Sequence, residues 1–455
     1  MAGAGGAAEG RTAEPAARSA VPARALARAI TPRHLKSHLT ALAAIARRNG
    51  GTRAVGTPGY SQSVAYVTRQ LHAAGYWPRL HRFTFDYFRE TRQPVLERVA
   101  PGSKSYQRGP DFLTMRYSGG GNLTAQVVPV KPTSASSGCE GSDFAGFPSG
   151  AVALMRRGAC PFSQKAQNAE QHGAAAALIA NDGSPGRTAP ISATLFAPVT
   201  IPVLVVSSEL ASELATLAQL GVVRIRIVLS VRTTQARAAN VIADLPGRRK
   251  GVVLLGAHLD SVANGPGIND NGSGSALVLE VARQARRLHV RPKHGLRFAF
   301  RGAEELGLVG SRAYVDSLGS AERIRILDVL NLDMVGSPNF GRIVYSGDGQ
   351  PRGSVRIENA FRAYFAARRL PVEEESLGGS SDHAGFAAAG IPVGGLFTGA
   401  DEAKSAELAR RFGGSAGQAF DACYHKACDT VANVDFGILD QMADAAAVVA
   451  IRLAG

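Results

Sequence analysis

The sequence contains no run approaching the roughly 20 consecutive apolar residues of a membrane-spanning helix, so no helical span is expected. Aromatic residues are scarce, at 6% of the chain with a single tryptophan. The net charge of +15 is large, yet no basic helix and no Arg/Lys block with interleaved aromatics carries it. Arginines are spread through every segment, so the excess reads as a solvated surface and a compositional bias toward Ala, Arg and Gly; no nucleic-acid partner is expected. Cysteine is limited to four residues, none in the CxxC spacing of a zinc ribbon or a thioredoxin site. They fall into two pairs close in sequence, Cys139 with Cys160 and Cys423 with Cys428, which fits two local disulfides and an oxidising compartment. The opening segment "MAGAGGAAEGRTAEPAARSAVPARALARAI" has no apolar core of about 7–15 residues, so no signal peptide is legible in it. A leader lost through a misassigned start, unconventional export, or reduced cysteines would each account for this; a lost leader and a secreted protein are the expectation.

What is present describes a globular chain long enough for two domains of ordinary size. Residues 1–30 are rich in Ala, Arg, Gly and Pro without periodicity and read as a disordered tail. From Pro32, "HLKSHLTALAAIARR" and "SQSVAYVTRQLHAAGY" read as amphipathic helices, the second closed by Gly75, and "RLHRFTFDYF" alternates like a strand. The character changes near residue 125. The segment "GAVALMRRGACPFSQKAQNAEQHGAAAALIANDG" reads as strand, turn, helix and strand, and "IPVLVVSSELASELATL" adds a further strand and helix. This stretch resembles the protease-associated domain, and gives the division 1–30 tail, 31–125 first part of a catalytic domain, 126–232 insert, and 233–455 metal-binding part of the catalytic domain. The insert is expected to act as a lid that limits substrate size.

After "QARAANVIADLPG", short apolar runs such as "GVVLLGAHLD", "GLRFAF", "ILDVLNLDMVG" and "IPVGGLFTG" alternate with helical stretches. The pattern is that of an α/β fold, a mostly parallel central sheet covered by helices and interrupted by a smaller β-rich domain. Ligands in such sheets collect at the carboxyl ends of strands, and the polar clusters fall there. "GAHLD" supplies His258 and Asp260, "GINDNGSG" supplies Asp270, "RGAEELG" supplies the adjacent Glu304 and Glu305, and "NLDM" supplies Asp333. Any one of these is more often structural than a ligand. Together they crowd negative charge into one crevice, at a cost of several kcal/mol unless cations are present. Mixed imidazole and carboxylate donors suit zinc, and two ions roughly 3.5–4 Å apart with a bridging carboxylate would use every group. A second imidazole is needed; His383 in "SSDHAGF" and His425 in "CYHKACD" both qualify, and spacing does not choose between them.

The segments "GAHLDSV", "GINDNGSG", "RGAEELGLVGSRAY", "NLDMVG", "SSDHAGFAAAGIPVGGLFTGAD" and "AFDACYHKACDT" jointly resemble the secreted bacterial di-zinc aminopeptidases. The resemblance spans about residues 31–125 and 233–455. It implies an exopeptidase acting on peptides with a free N-terminus, apolar residues being the expected preference; a monomer is expected, although the sequence does not determine the oligomeric state. It implies two zinc ions per chain: one on His258 and Asp333, the other on Glu305 and His425, with Asp270 bridging. Asp260 would orient His258, Glu304 would serve as general base and acid, Tyr424 would donate to the oxyanion, and Asp270–Asn271 would be a cis peptide. His383 would then be structural. The chain departs from those relatives at Ser380, where they carry an arginine that helps hold the substrate amine, so amine recognition is expected to differ in detail. Two other readings are a single-zinc glutaminyl cyclase on the same scaffold and a non-catalytic receptor-like homologue. Neither is favoured, because every ligand position is filled.

Overall fold

In the computed structural model, residues 20–184, 187–191, 193–195, 199–376 and 378–455 are described. Helix α1 (Ala20–Ala29) lies within the segment that composition assigns to a disordered tail; residues 1–19 of that segment lie outside the described residues. Helices α2 (Pro32–Arg48) and α3 (Pro58–Ala73) follow. Both open on a Thr-Pro pair, in which the hydroxyl of Thr31 or Thr57 accepts the N–H three residues on and proline occupies the first helical turn. Strand β1 (Arg79–Glu90) leads into β2 (Val95–Ala100), β3 (Lys104–Ser105), β4 (Phe112–Thr114), β5 (Gly121–Pro129) and β6 (Val152–Arg156). Next come α4 (Phe162–Gln171), β7 (Ala176–Ala180), β8 (Val203–Val206), α5 (Ser208–Leu220) and β9 (Arg224–Leu229). The remainder begins with β10 (Val231–Leu245), β11 (Arg249–His258), α6 (Gly274–Arg287), β12 (His294–Arg301), α7 (Val309–Ser317) and α8 (Ser320–Arg325). It ends with β13 (Ile326–Leu332), β14 (Ile343–Ser346), α9 (Ser354–Ala366), β15 (Glu373–Ser376), α10 (His383–Ala388), β16 (Val393–Phe397), α11 (Ala406–Phe412) and α12 (Phe436–Leu453).

The chain forms two compact units, one comprising residues up to Phe83 with Ala238–Gly455, the other Thr84–Arg237. The second unit starts some forty residues before the composition change that suggests an insert from 126. The reason is long-range pairing: β2 runs antiparallel to β9, and β4 to β8, so three short strands ahead of residue 125 join the sheet β3-β2-β9-β5-β6-β7-β8-β4. Strands β5 to β8 are parallel neighbours whose buried Val152, Leu154, Leu178 and Leu204 form one core layer. The Cys139–Cys160 disulfide belongs to this unit.

The other unit is built on the sheet β1-β10-β12-β11-β13-β16-β14-β15. Its four central strands β12, β11, β13 and β16 are mutually parallel, and β10 and β14 flank them antiparallel. Continuous burial along Val252–His258 and Gly295–Arg301 explains why these runs carry no polar alternation: helices cover both faces. Because β11, β12 and β13 point the same way, their carboxyl ends at His258, Arg301 and Leu332 share one edge of the sheet. No helix among the described residues is long and apolar enough to cross a membrane.

Candidate metal centre

Four loops bring polar side chains to that edge. His258 ends β11, Glu304 and Glu305 follow β12, Asp333 follows β13, and Asp270 stands in the irregular turn Ile268–Ser273 that starts α6. A fifth element, the loop 421–429 closed by the Cys423–Cys428 disulfide, contributes Tyr424 and His425. Several of these positions need unusual backbone: Ala303 and Met334, each beside a cluster acid, and His425 itself have φ values of 59°, 47° and 58°. Left-handed conformations are uncommon outside glycine, and their concentration here shows how tightly the surroundings fix these turns. Gly267, at φ 60°, opens the Asp270 turn, and a Cβ there would lie 2.3 Å from the Asp270 carbonyl. The Asp270–Asn271 peptide is cis.

The side chains converge closely. His258 Nε2 lies 3.2 Å from Asp270 Oδ1 and 3.2 Å from Asp333 Oδ1. His425 Nε2 lies 3.1 Å from Asp270 Oδ2 and 3.1 Å from Glu305 Oε2. One Asp270 oxygen therefore faces each imidazole. Donor atoms bound at about 2.0–2.1 Å in a tetrahedron lie roughly 3.3 Å apart, so each of these four imidazole–carboxylate distances is that of two ligands on one ion. Two sets of donors, His258 with Asp270 and Glu305 and His258 with Glu304 and Asp333, are close enough together to hold an ion. Glu304 Oε2 is 4.0 Å from His258 Nε2, farther than the other acids though near enough to share an ion with His258 and Asp333. His383 is fully buried and packs on the ring of Tyr345, 5.6 Å between centroids; His425 is the imidazole that meets the acids.

The electrostatics require cations. The cleft, with a cavity volume of ≈ 220 Å³, is lined by His258, Asp270, Glu304, Asp333, Tyr424 and His425 among others, and among the described residues by no lysine or arginine. Burial opposes charge on His258, but Asp333 and Glu304 outweigh it and hold the imidazole well above its usual range. For His425 burial likewise works downward, yet Glu305 and Asp270 push it up to about 11. Asp270 is driven the other way: burial would raise it, but the bonds to His258 and His425 bring it well below the usual carboxylate range. Burial, with the neighbouring acids, raises Glu304 and Glu305. These directions describe a cluster short of positive charge, in which protonated imidazoles stand where divalent ions would suit the donors better.

A surrounding shell, mostly illegible in the sequence, holds these groups in place. His258 Nδ1 faces the Asp260 carbonyl at 3.2 Å and its carboxylate at 3.7 Å, and that carboxylate accepts the Glu304 N–H at 3.3 Å. Asp429 accepts the N–H groups of Asn269 and Asp270 at 2.7 and 3.0 Å, tying the His425 loop to the Asp270 turn. The fully buried Arg53 donates to the carbonyls of Leu259, Pro266 and Gly267, clamping the loop between His258 and Asp270. On the other flank, Ser381 Oγ donates to Asp333 Oδ2 at 2.6 Å and accepts from Asn331 Nδ2 at 2.8 Å. Arg301 donates to Asn331 at 2.6 Å and pairs with the equally buried Asp382 at 2.8 Å. Arg53 comes from some 200 residues upstream, which no local motif could have signalled. Ser381 and Asp382 stand in the "SSDHAGF" segment next to His383, and that adjacency to a candidate ligand was the available clue.

Comparison with known proteins places this arrangement. The model of "Peptidase family M28" matches residues 240–450, and that of the "PA domain" matches residues 123–214. An aminopeptidase of Pseudomonas aeruginosa is 40% identical over 437 residues, covering 93% of this chain and 81% of that protein. A probable leucine aminopeptidase 2 of Aspergillus fumigatus is 36% identical over 397 residues, covering 84% and 75%. Among solved structures, BSAP, a zinc aminopeptidase from Bacillus subtilis, is similar with a TM-score of 0.69 at 27% identity, covering 92% of this chain and 94% of that one.

Proposed function

The chain belongs to peptidase family M28 and is an aminopeptidase of that family, a hydrolase acting on peptides, and on that premise we propose that it works with two zinc ions per chain. His258 and Asp333 would hold one ion, His425 and Glu305 the other, with Asp270 shared. The observation that carries this reading is the set of four 3.1–3.2 Å imidazole–carboxylate contacts, two of which fall on the two separate oxygens of Asp270. Charge agrees with it: four carboxylates, Asp270, Glu304, Glu305 and Asp333, balance two divalent ions when both imidazoles are neutral. Zinc bound there supplies Lewis acidity toward a peptide carbonyl and toward water, whose pKa it lowers to about 7.

The chain's own residues do the rest. Asp260 fixes the ring of His258 through Nδ1 and, through the Glu304 N–H, fixes the start of the Glu304–Glu305 pair. Glu305 points to His425 while Glu304 lines the cleft beside His258 and Asp333. This position supports Glu304 as the base that would take a proton from the attacking water and return it to the leaving amine. Tyr424 lies against His425 with ring centroids 3.8 Å apart, and burial with the surrounding acids keeps its phenol protonated, a donor for the developing oxyanion. Met334, Tyr345 and Phe397 supply an apolar lining in the same cleft, which suits an apolar N-terminal residue. Two disulfides among the described residues fit a secreted protein.

Glu304→Gln tests the assignment. The variant should keep its full complement of two zinc ions by elemental analysis and lose about 10²–10⁴-fold in turnover of leucine 4-nitroanilide. A variant that retains activity removes Glu304 from the chemistry; a stoichiometry of one zinc removes the second ion.

A further inference from the structure

The cleft contains two carboxylates that the hydrolytic roles above leave unused. Glu375 lies on β15 and Glu402 in the loop after β16, and both line the cavity that holds the metal cluster. Their neighbours on the strand are neutralised, Glu373 by Arg411 and Glu374 by Arg362 at 2.9 Å. Glu375 has no ion pair among the described residues, and Glu402 has only the Ala400 N–H, 3.2 Å from both of its oxygens. Desolvation, and then Glu402 and Glu373, push the Glu375 carboxyl up to about 7.

A second feature points into the same space. In the β14–β15 ladder Tyr345 is the register partner of Glu375, so both side chains leave the sheet on one face. Tyr345 is 6% exposed, lines the cavity, and its hydroxyl makes no hydrogen bond among the described residues. Its ring stacks on Phe397, 6.3 Å between centroids. The pocket therefore joins an apolar lining of Met334, Tyr345 and Phe397 to an anionic wall with an unused phenol beside it, and among the described residues no lysine or arginine lines it.

We propose that Glu375 and Glu402 are specificity determinants that extend the enzyme's range to peptides with N-terminal lysine or arginine. The apolar lining takes the methylene stem, as it takes leucine, and the two carboxylates receive the cationic head. The inference rests on the aminopeptidase reading.

The test compares kcat/KM for lysine and norleucine 4-nitroanilides, which share a stem and differ in the terminal charge, in wild type, Glu375→Gln and Glu402→Gln. The lysine-to-norleucine ratio should fall about tenfold in each variant, the size of one charge-assisted hydrogen bond partly open to water. Norleucine and leucine kinetics should stay unchanged, as should zinc content. An unchanged ratio overturns the inference. So does an equal loss on both substrates, which would make the pair a site for the α-ammonium or a structural element. If zinc-loaded wild type hydrolyses no aminoacyl anilide, the aminopeptidase reading itself falls, and this inference with it.

Discussion

Ser381→Ala removes one oxygen from the shell around the metal cluster, and the consequences can be worked from its two bonds. Asp333 uses Oδ1 toward His258 and gives Oδ2 to the Ser381 hydroxyl at 2.6 Å. That bond holds the carboxylate in the orientation that presents Oδ1 to the cleft. A hydrogen bond to a charged acceptor contributes about 1.5–3 kcal/mol, equivalent to roughly 10- to 150-fold in a binding constant. Residues that orient metal ligands typically change affinity by about 10–100-fold when removed, which overlaps that range. Zinc should therefore bind about 10–100-fold more weakly, measured by competition against a calibrated chelator. The second bond predicts a separate loss. Asn331, 1% exposed, loses the acceptor for its amide, which costs about 1–3 kcal/mol of folding stability, readable in urea on the metal-free protein. Unchanged zinc affinity beside a lowered urea midpoint would refute the reasoning: Ser381 would then serve packing alone, and Asp333 would be oriented by other means.

Two other perturbations separate loop geometry and charge burial. Opening the Cys423–Cys428 bridge with a double Ser substitution frees the short loop that carries Tyr424 and His425, at a loop-closure cost of about 2 kcal/mol; kcat should drop and the second zinc should dissociate first, and unaltered kinetics would show the loop held by Asp429 and by Asp421, which accepts from Asn269 Nδ2 and the Cys423 N–H, alone. Lys165, fully buried in the second unit with its ammonium on the Ser137 carbonyl, is pushed down to about 8 by desolvation. Between about pH 8 and the ordinary lysine range near 10.4 the unfolded chain binds more protons than the folded one, so stability should rise with pH there. Lys165→Met should flatten that rise, and an identical urea-against-pH curve would refute the shift.

The central sheet was legible because its buried parallel strands read as uninterrupted apolar runs, and the acids and histidine that follow those runs had to lie at one edge. The identity of the second imidazole was open on spacing: His383 and His425 both stand downstream of the strand-end acids, and only the path of the disulfide-closed loop brings His425 to Asp270 while His383 packs into the core against Tyr345. Arg53 could not be found from sequence, since its three carbonyl acceptors lie more than 200 residues away.

The sequence by itself determined the ligand chemistry, because side-chain types and their places after apolar strands are local properties. Only the tertiary structure decided which oxygen of Asp270 faces which imidazole, which strands ahead of residue 125 pair into the second sheet, and that Glu375 has no ion pair among the described residues. Those are matters of pairing between distant segments, set by loop closure and register rather than by any stretch of residues read alone.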